Sequence, residues 1–88
     1  MFEAVVKGKV QGVSYRYWAQ QRASSLHVKG WIQNQLDGSV KIRAVGTKEN
    51  LEMFLQWCGE GSPSATVESV EASWNQTEER YDDFRIRA

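Results

Sequence analysis

One cysteine, one proline and one histidine are all that the 88-residue chain contains of those types, and its charges cancel, with 11 Lys plus Arg against 11 Asp plus Glu. Each scarcity excludes a class of protein. A lone Cys58 cannot form an internal disulfide, and Cys58 with His27 makes no metal-ligand spacing, so neither a disulfide scaffold nor a structural metal is expected. A net charge of zero leaves no overall field to recruit nucleic acid or an acidic membrane, so any anion preference must be local. No apolar run approaches the roughly 18 residues needed to span a bilayer, and Met1-Phe2-Glu3 lacks a basic stretch leading into an apolar one; a cytoplasmic protein is the expectation. Repeats, linkers and low-complexity segments are also missing. The length therefore predicts a single domain over residues 1–88.

What is present is periodicity. Phe2, Ala4, Val6 and Gly8 alternate against Glu3, Lys7 and Lys9, which predicts a half-buried strand. From Tyr15 the period changes: Tyr15, Ala19, Ala23 and Leu26 fall on one helix face, flanked by Trp18 and Arg22. Val28, Gly30, Ile32 and Asn34 share one face of a second strand, Asp37-Gly38 signals a hairpin, and Val40, Ile42 and Ala44 point inward from a third. Thr47 is a helix N-cap, followed by Leu51, Phe54, Leu55 and Cys58 on an apolar stripe that Gly59, Gly61 and Pro63 are expected to stop. Val70, Ala72 and Trp74 predict a fourth strand, and Phe84 with Ile86 a short fifth. This order is the ferredoxin-like βαββαβ sandwich, an α+β fold with an antiparallel sheet and two helices on one face.

The passage from strand to helix within Lys9 to Ser14 has the layout of an anion cradle. A short connection there points backbone N–H groups into one concavity, and first-turn helix amides lack partners and carry partial positive charge. Gly12 permits a positive φ and close approach of an oxyanion, and Arg16 adds a planar fork suited to two oxygens. Taken alone, a Gly-Arg loop favours the plainer explanation, in which Gly12 serves only the turn and Arg16 is a solvated helix residue. The topology adds a second site. A strand-helix-strand crossover makes the first two strands parallel, so Asn34 ends on the same sheet edge as the cradle, and its parity with Val28 and Ile32 turns its amide toward the start of the first helix.

The segment resembles the acylphosphatase family signature, a strand leading through Gly-x-Val-Gln-Gly-Val to an aromatic residue and an arginine, here Gly8, Val10, Gln11, Gly12, Val13, Tyr15 and Arg16. A second family element stands as Gly30, Trp31, Ile32, Gln33, Asn34, Asp37 and Gly38, and the resemblance continues through Gly46, Gly61-Ser62-Pro63, Val70, Trp74 and Phe84 over essentially the whole chain. It departs at Tyr15, where the family more often has Phe or Met, and at Ile32, where a smaller apolar residue is usual. The resemblance implies that water attacks an acyl phosphate in line, releasing a carboxylate and inorganic phosphate. It implies too that Arg16 and the loop amides of Gln11, Gly12, Val13, Ser14, Tyr15 and Arg16 hold the phosphoryl group, and that Asn34 orients the water. The residues favour the same chemistry. The motifs contain no histidine, cysteine or carboxylate to serve as nucleophile or general acid, and an acyl phosphate leaves as a carboxylate whose conjugate acid has a pKa of about 4, needing no acid at neutral pH. No cofactor and no metal are called for, and the expected partners are the small-molecule acyl phosphate and phosphate alone, with no nucleic acid, no membrane and a monomeric chain.

Other residues have plain structural explanations. Ser14 is a small hydroxylic residue before a helix, where an N-cap is expected; His27 suits a helix C-terminus; Cys58 fits a buried stripe; Asp37 is a turn former. Trp18, Trp31, Trp57 and Trp74 lie in four separate elements, which predicts packing rather than an aromatic box. Two other functions share the layout. An RNA-binding module needs aromatic platforms on the central strands, where this chain offers Lys7, Lys41 and Arg43. A catalytically silent domain would not need complete motifs.

Overall fold

A computed structural model describes all residues, Met1 to Ala88. The chain runs β1 (Phe2–Lys9), α1 (Tyr15–Ser25), β2 (Lys29–Asn34), β3 (Val40–Val45), α2 (Lys48–Glu60), β4 (Thr66–Trp74) and β5 (Phe84–Arg87). The strands form one sheet in the order β4-β1-β3-β2-β5. β3 lies between β1 and β2 and is antiparallel to both, so β1 and β2 run the same way and end on the same edge, as the crossover argument requires. β4 pairs antiparallel with β1, and the short β5 joins β2 in parallel, adding a parallel edge to an otherwise antiparallel sheet.

The alternating patterns become a single core. Phe2, Ala4 and Val6 from β1, Ile32 from β2, and Val40, Ile42 and Ala44 from β3 are buried beneath Tyr15, Ala19 and Ala23 of α1 and Leu51, Phe54 and Cys58 of α2. Phe54 sits at its centre, 5.4 Å from the Phe84 ring in an edge-to-face contact and 6.1 Å from Phe2. Three of the four tryptophans pack as expected. Trp57 lies 5.2 Å from Tyr15, Trp74 lies 5.3 Å from Phe2, and Trp31 carries the Arg87 guanidinium 4.5 Å above its ring.

Local signals hold with two corrections. Thr47 caps α2, its hydroxyl accepting from the Asn50 N–H at 3.2 Å, and Asp37 builds the hairpin turn by accepting from both the N–H and the hydroxyl of Ser39. Gly59, expected to help stop α2, instead lies inside it, and the helix ends at Glu60 where Gly61 takes φ 77. One glycine does not break a helix whose flanking residues are packed; it costs about 1 kcal/mol relative to alanine. Ser14 is the second correction. It occupies the N-cap position of α1 but makes no side-chain cap bond, because its backbone is left-handed (φ 61) and does not aim the hydroxyl at the first-turn amides. Gly30 shows why the second motif starts with glycine: at φ 135 it crosses β3 so closely that a Cβ would stand 1.9 Å from the Arg43 carbonyl oxygen. No helix is long and apolar enough to cross a membrane.

Candidate active site

The cradle is a loop with unused donors. Gly12 takes φ 73 and Ser14 φ 61, and these two left-handed residues fold the strand-to-helix connection into a concavity. The N–H groups of Gln11, Gly12, Val13 and Ser14 donate to no other backbone group. Gly12 is exposed, and a Cβ built on it would meet nothing within 4 Å. Its requirement is therefore conformational, with the space in front of it left open.

Side-chain bonds between this segment and its neighbours hold the loop in shape. The Gln11 amide donates at 2.8 Å to the carbonyl of Gln35 and again at 2.8 Å to that of Ser39, clamping the cradle to both sides of the β2–β3 hairpin. From the other flank the buried Ser62 hydroxyl donates to the Val13 carbonyl at 2.8 Å. The Tyr15 hydroxyl donates to the Cys58 carbonyl at 2.8 Å, tying the start of α1 to the end of α2. Burial of both side chains, foremost, raises the Tyr15 phenol far above its ordinary range and pushes the Cys58 thiol up to about 12, so each stays neutral and structural. The departure from Phe or Met at position 15 is thus used: the extra hydroxyl finds a carbonyl.

Arg16 and Asn34 share a cavity with the cradle. Both line one cavity of about 360 Å³ together with Gly12 and Ser14, and Val10, Tyr15, Tyr17 and Ile86 complete its wall. One Arg16 guanidinium nitrogen, Nη1, donates to the Arg87 carbonyl at 3.2 Å, which tethers the side chain while leaving its other donors free. Asn34 Oδ1 is buried and accepts no hydrogen bond from the protein. An unpartnered buried acceptor costs on the order of 1 to 3 kcal/mol unless water or a ligand satisfies it. Of the expected site residues, Gly12, Ser14, Tyr15, Arg16 and Asn34 line this one cavity, while Gln11 and Val13 belong to the same loop but do not line it. Neither Tyr17 nor Ile86, the latter expected only as part of the fifth strand, was assigned to the site from the sequence. The one available signal was apolar character beside a charged site: Tyr17 directly follows Arg16, and Ile86 lies two residues beyond the core residue Phe84.

Elsewhere the molecule offers less. A recess of about 450 Å³ lies beside Trp31 and residues 80–83, but Arg87 already covers Trp31, and Arg85 pairs with Asp83 at 2.8 Å. On the outer face of the sheet Arg43 pairs with Glu79 and Glu3, and Lys7 with Glu71, so two of Lys7, Lys41 and Arg43 are engaged internally. No three His, Cys, Asp or Glu side chains converge as a metal-ligand set.

The chain is similar to known proteins along its whole length. An acylphosphatase from Shewanella amazonensis is 48% identical over 81 residues, covering 92% of this chain and 89% of the relative. The crystal structure of acylphosphatase from Bacillus subtilis superimposes with a TM-score of 0.96 at 32% identity, covering 99% of this chain and 97% of that one. The structure of an acylphosphatase from Coxiella burnetii gives 0.91 at 35% identity over 98% and 90% of the two chains. The acylphosphatase family model matches residues 2–86, and with the cradle, Arg16 and Asn34 gathered in one cavity, the chain belongs to the acylphosphatase family.

Proposed function

We propose that the chain hydrolyses acyl phosphates by direct attack of water on phosphorus, with Arg16 and the cradle amides holding the phosphoryl group and Asn34 holding the water. The observation that carries this reading is that Asn34, whose side-chain oxygen has no hydrogen-bond partner in the protein, lines the same cavity as Arg16 and Gly12. A side-chain amide at the wall of a polar cavity can accept a hydrogen bond from water through its oxygen or donate one through its NH₂, and either contact orients the water's lone pair. The unpaired N–H groups of Gln11 to Ser14, with the free Arg16 donors, supply fixed positive dipoles and charge around the three phosphoryl oxygens. The P–O bond to the acyl group breaks as the bond to water forms. A carboxylate leaves with the bonding pair, and the proton of the attacking water ends on the phosphate product. Since the carboxylate departs unprotonated at neutral pH, the scheme needs no acid group, cofactor or metal.

Asn34→Ala tests it. Water orientation predicts that kcat for benzoyl phosphate falls on the order of a hundredfold or more, while competitive inhibition by inorganic phosphate changes little, because the cradle and Arg16 remain. The melting temperature should hold or rise, since the lost acceptor has no protein partner. A folded variant with almost undiminished kcat removes Asn34 from the reaction. Loss of turnover in EDTA, restored by a divalent ion, contradicts the metal-free scheme.

A further inference from the structure

The cavity that holds Arg16 and Asn34 has two kinds of wall. Gly12, Ser14, Arg16 and Asn34 present backbone and polar groups, whereas Tyr17 and Ile86 present exposed apolar surface to the same space. Ile86 is the more informative. It has the parity of Phe84 and pairs with the buried Ile32, so it faces the helix side of the sheet, yet Phe84 is 3% exposed and Ile86 39%. The cause lies in the packing: α1 begins at Tyr15, and the cavity opens beside that first turn, leaving the far end of β5 without a helix above it. Tyr17, in the first turn of α1 and 54% exposed, faces the same opening with the edge of its ring 6.0 Å, centroid to centroid, from Trp18. Two exposed apolar side chains from separate elements thus border one anion cradle.

We propose that Tyr17 and Ile86 form the acyl-binding wall of this site and select acyl phosphates whose acyl group is apolar, aryl or branched alkyl, over those with a small or polar one. This rests on the hydrolysis proposed above. In-line attack puts the acyl oxygen on the side of phosphorus away from the water. With phosphate in the cradle, the acyl chain leaves it across the mouth, where Tyr17 and Ile86 are the apolar surfaces it meets. An aryl group covering them removes apolar area from water on both partners, which an acetyl group is too small to do. The interaction stabilises bound substrate and transition state together, so it is read in kcat/KM.

The experiment compares kcat/KM for benzoyl phosphate and acetyl phosphate on the intact chain and on Tyr17→Ser, Ile86→Ser and the double variant. Leu36→Ser, at a fully exposed leucine outside the cavity, serves as comparison. The parent should favour benzoyl phosphate by about tenfold or more, and the double variant should lose about tenfold of that ratio, each single change accounting for about threefold. The inhibition constant of inorganic phosphate reports the cradle and should move far less than the ratio. Since both side chains are exposed, the variants should fold; if the double variant does not, the single ones decide. A parent ratio near unity, a ratio unmoved in the variants, or an equal fall in Leu36→Ser overturns the acyl wall while leaving hydrolysis in place. A parent that turns over neither substrate overturns the hydrolysis reading, and the wall with it.

Discussion

Arg16 is positioned by what surrounds it. Its place in the first turn of α1 sets where the side chain starts, and the bond from Nη1 to the Arg87 carbonyl sets where it ends. A lysine there keeps the charge but loses the planar fork, and its donors, all on one nitrogen, cannot hold two phosphoryl oxygens in the parallel geometry of a guanidinium while the same group reaches the Arg87 carbonyl. Arg16→Lys should lower kcat/KM for benzoyl phosphate by a hundredfold or more, on the order of 3 kcal/mol of transition-state stabilisation, with little change in the thermal melt. Near-normal turnover would reduce Arg16 to a surface charge. At the same scale Gln11 explains its place in the signature: both of its amide hydrogens are committed to the hairpin that follows Asn34, so it couples the two halves of the site without facing the cavity.

Among the elements, α1 bears strain at each end. At its start the left-handed Ser14 shapes the cradle. At its end His27 takes φ 56 while its N–H bonds the Ser24 carbonyl at 3.2 Å, and the Val28 N–H bonds that of Ala23 at 2.8 Å. This is a Schellman ending, in which the left-handed position is ordinarily glycine. His27 is exposed and makes no side-chain hydrogen bond that the ending needs. His27→Gly should therefore stabilise the fold by about 0.5 to 1 kcal/mol, the relief of left-handed strain less the added freedom of the unfolded glycine. Chemical denaturation decides: a midpoint that falls would mean the imidazole contributes more than the strain costs. Activity should be unaffected, since His27 lies at the opposite end of the helix from Arg16.

At the scale of the whole molecule, both helices and the sheet close over one core, and Cys58 lies within it. Its thiol, pushed up to about 12 by burial, has neither the thiolate nor the access that alkylation requires. At pH 8 and 25 °C, Cys58 should react with iodoacetamide at least about a hundredfold more slowly than a free cysteine, because labelling must await opening of the core. The rate should follow global unfolding, rising with urea in step with the loss of helix signal by circular dichroism. Fast labelling in the absence of denaturant would show that α2 opens locally, and with it the anchor that holds the Tyr15 hydroxyl.

Period, turn chemistry and motif spacing are local and can be read from a few neighbouring side chains, so the order of elements, the faces they bury and the place of the strand-to-helix loop were legible in the sequence by itself. That Asn34 and the cradle share an edge also followed from the chain alone, through the handed crossover between β1 and β2. Long-range contacts were a different matter. Nothing near Gln11, Ser62 or Tyr15 in the chain announces that the first clamps the β2–β3 hairpin, the second the Val13 carbonyl and the third the end of α2. The expected hydroxyl cap at Ser14 failed because the backbone there obeys the cradle rather than the helix propensity of the residue. Gly59 likewise stayed helical because Phe54 and Cys58 on the same helix are held by the core, and tertiary packing outweighs a single weak helix former. Whether an apolar residue at a strand end is core or cavity wall was also beyond local reading. Ile86 and Phe84 have the same parity, and only the position where α1 begins left one covered and the other facing the site.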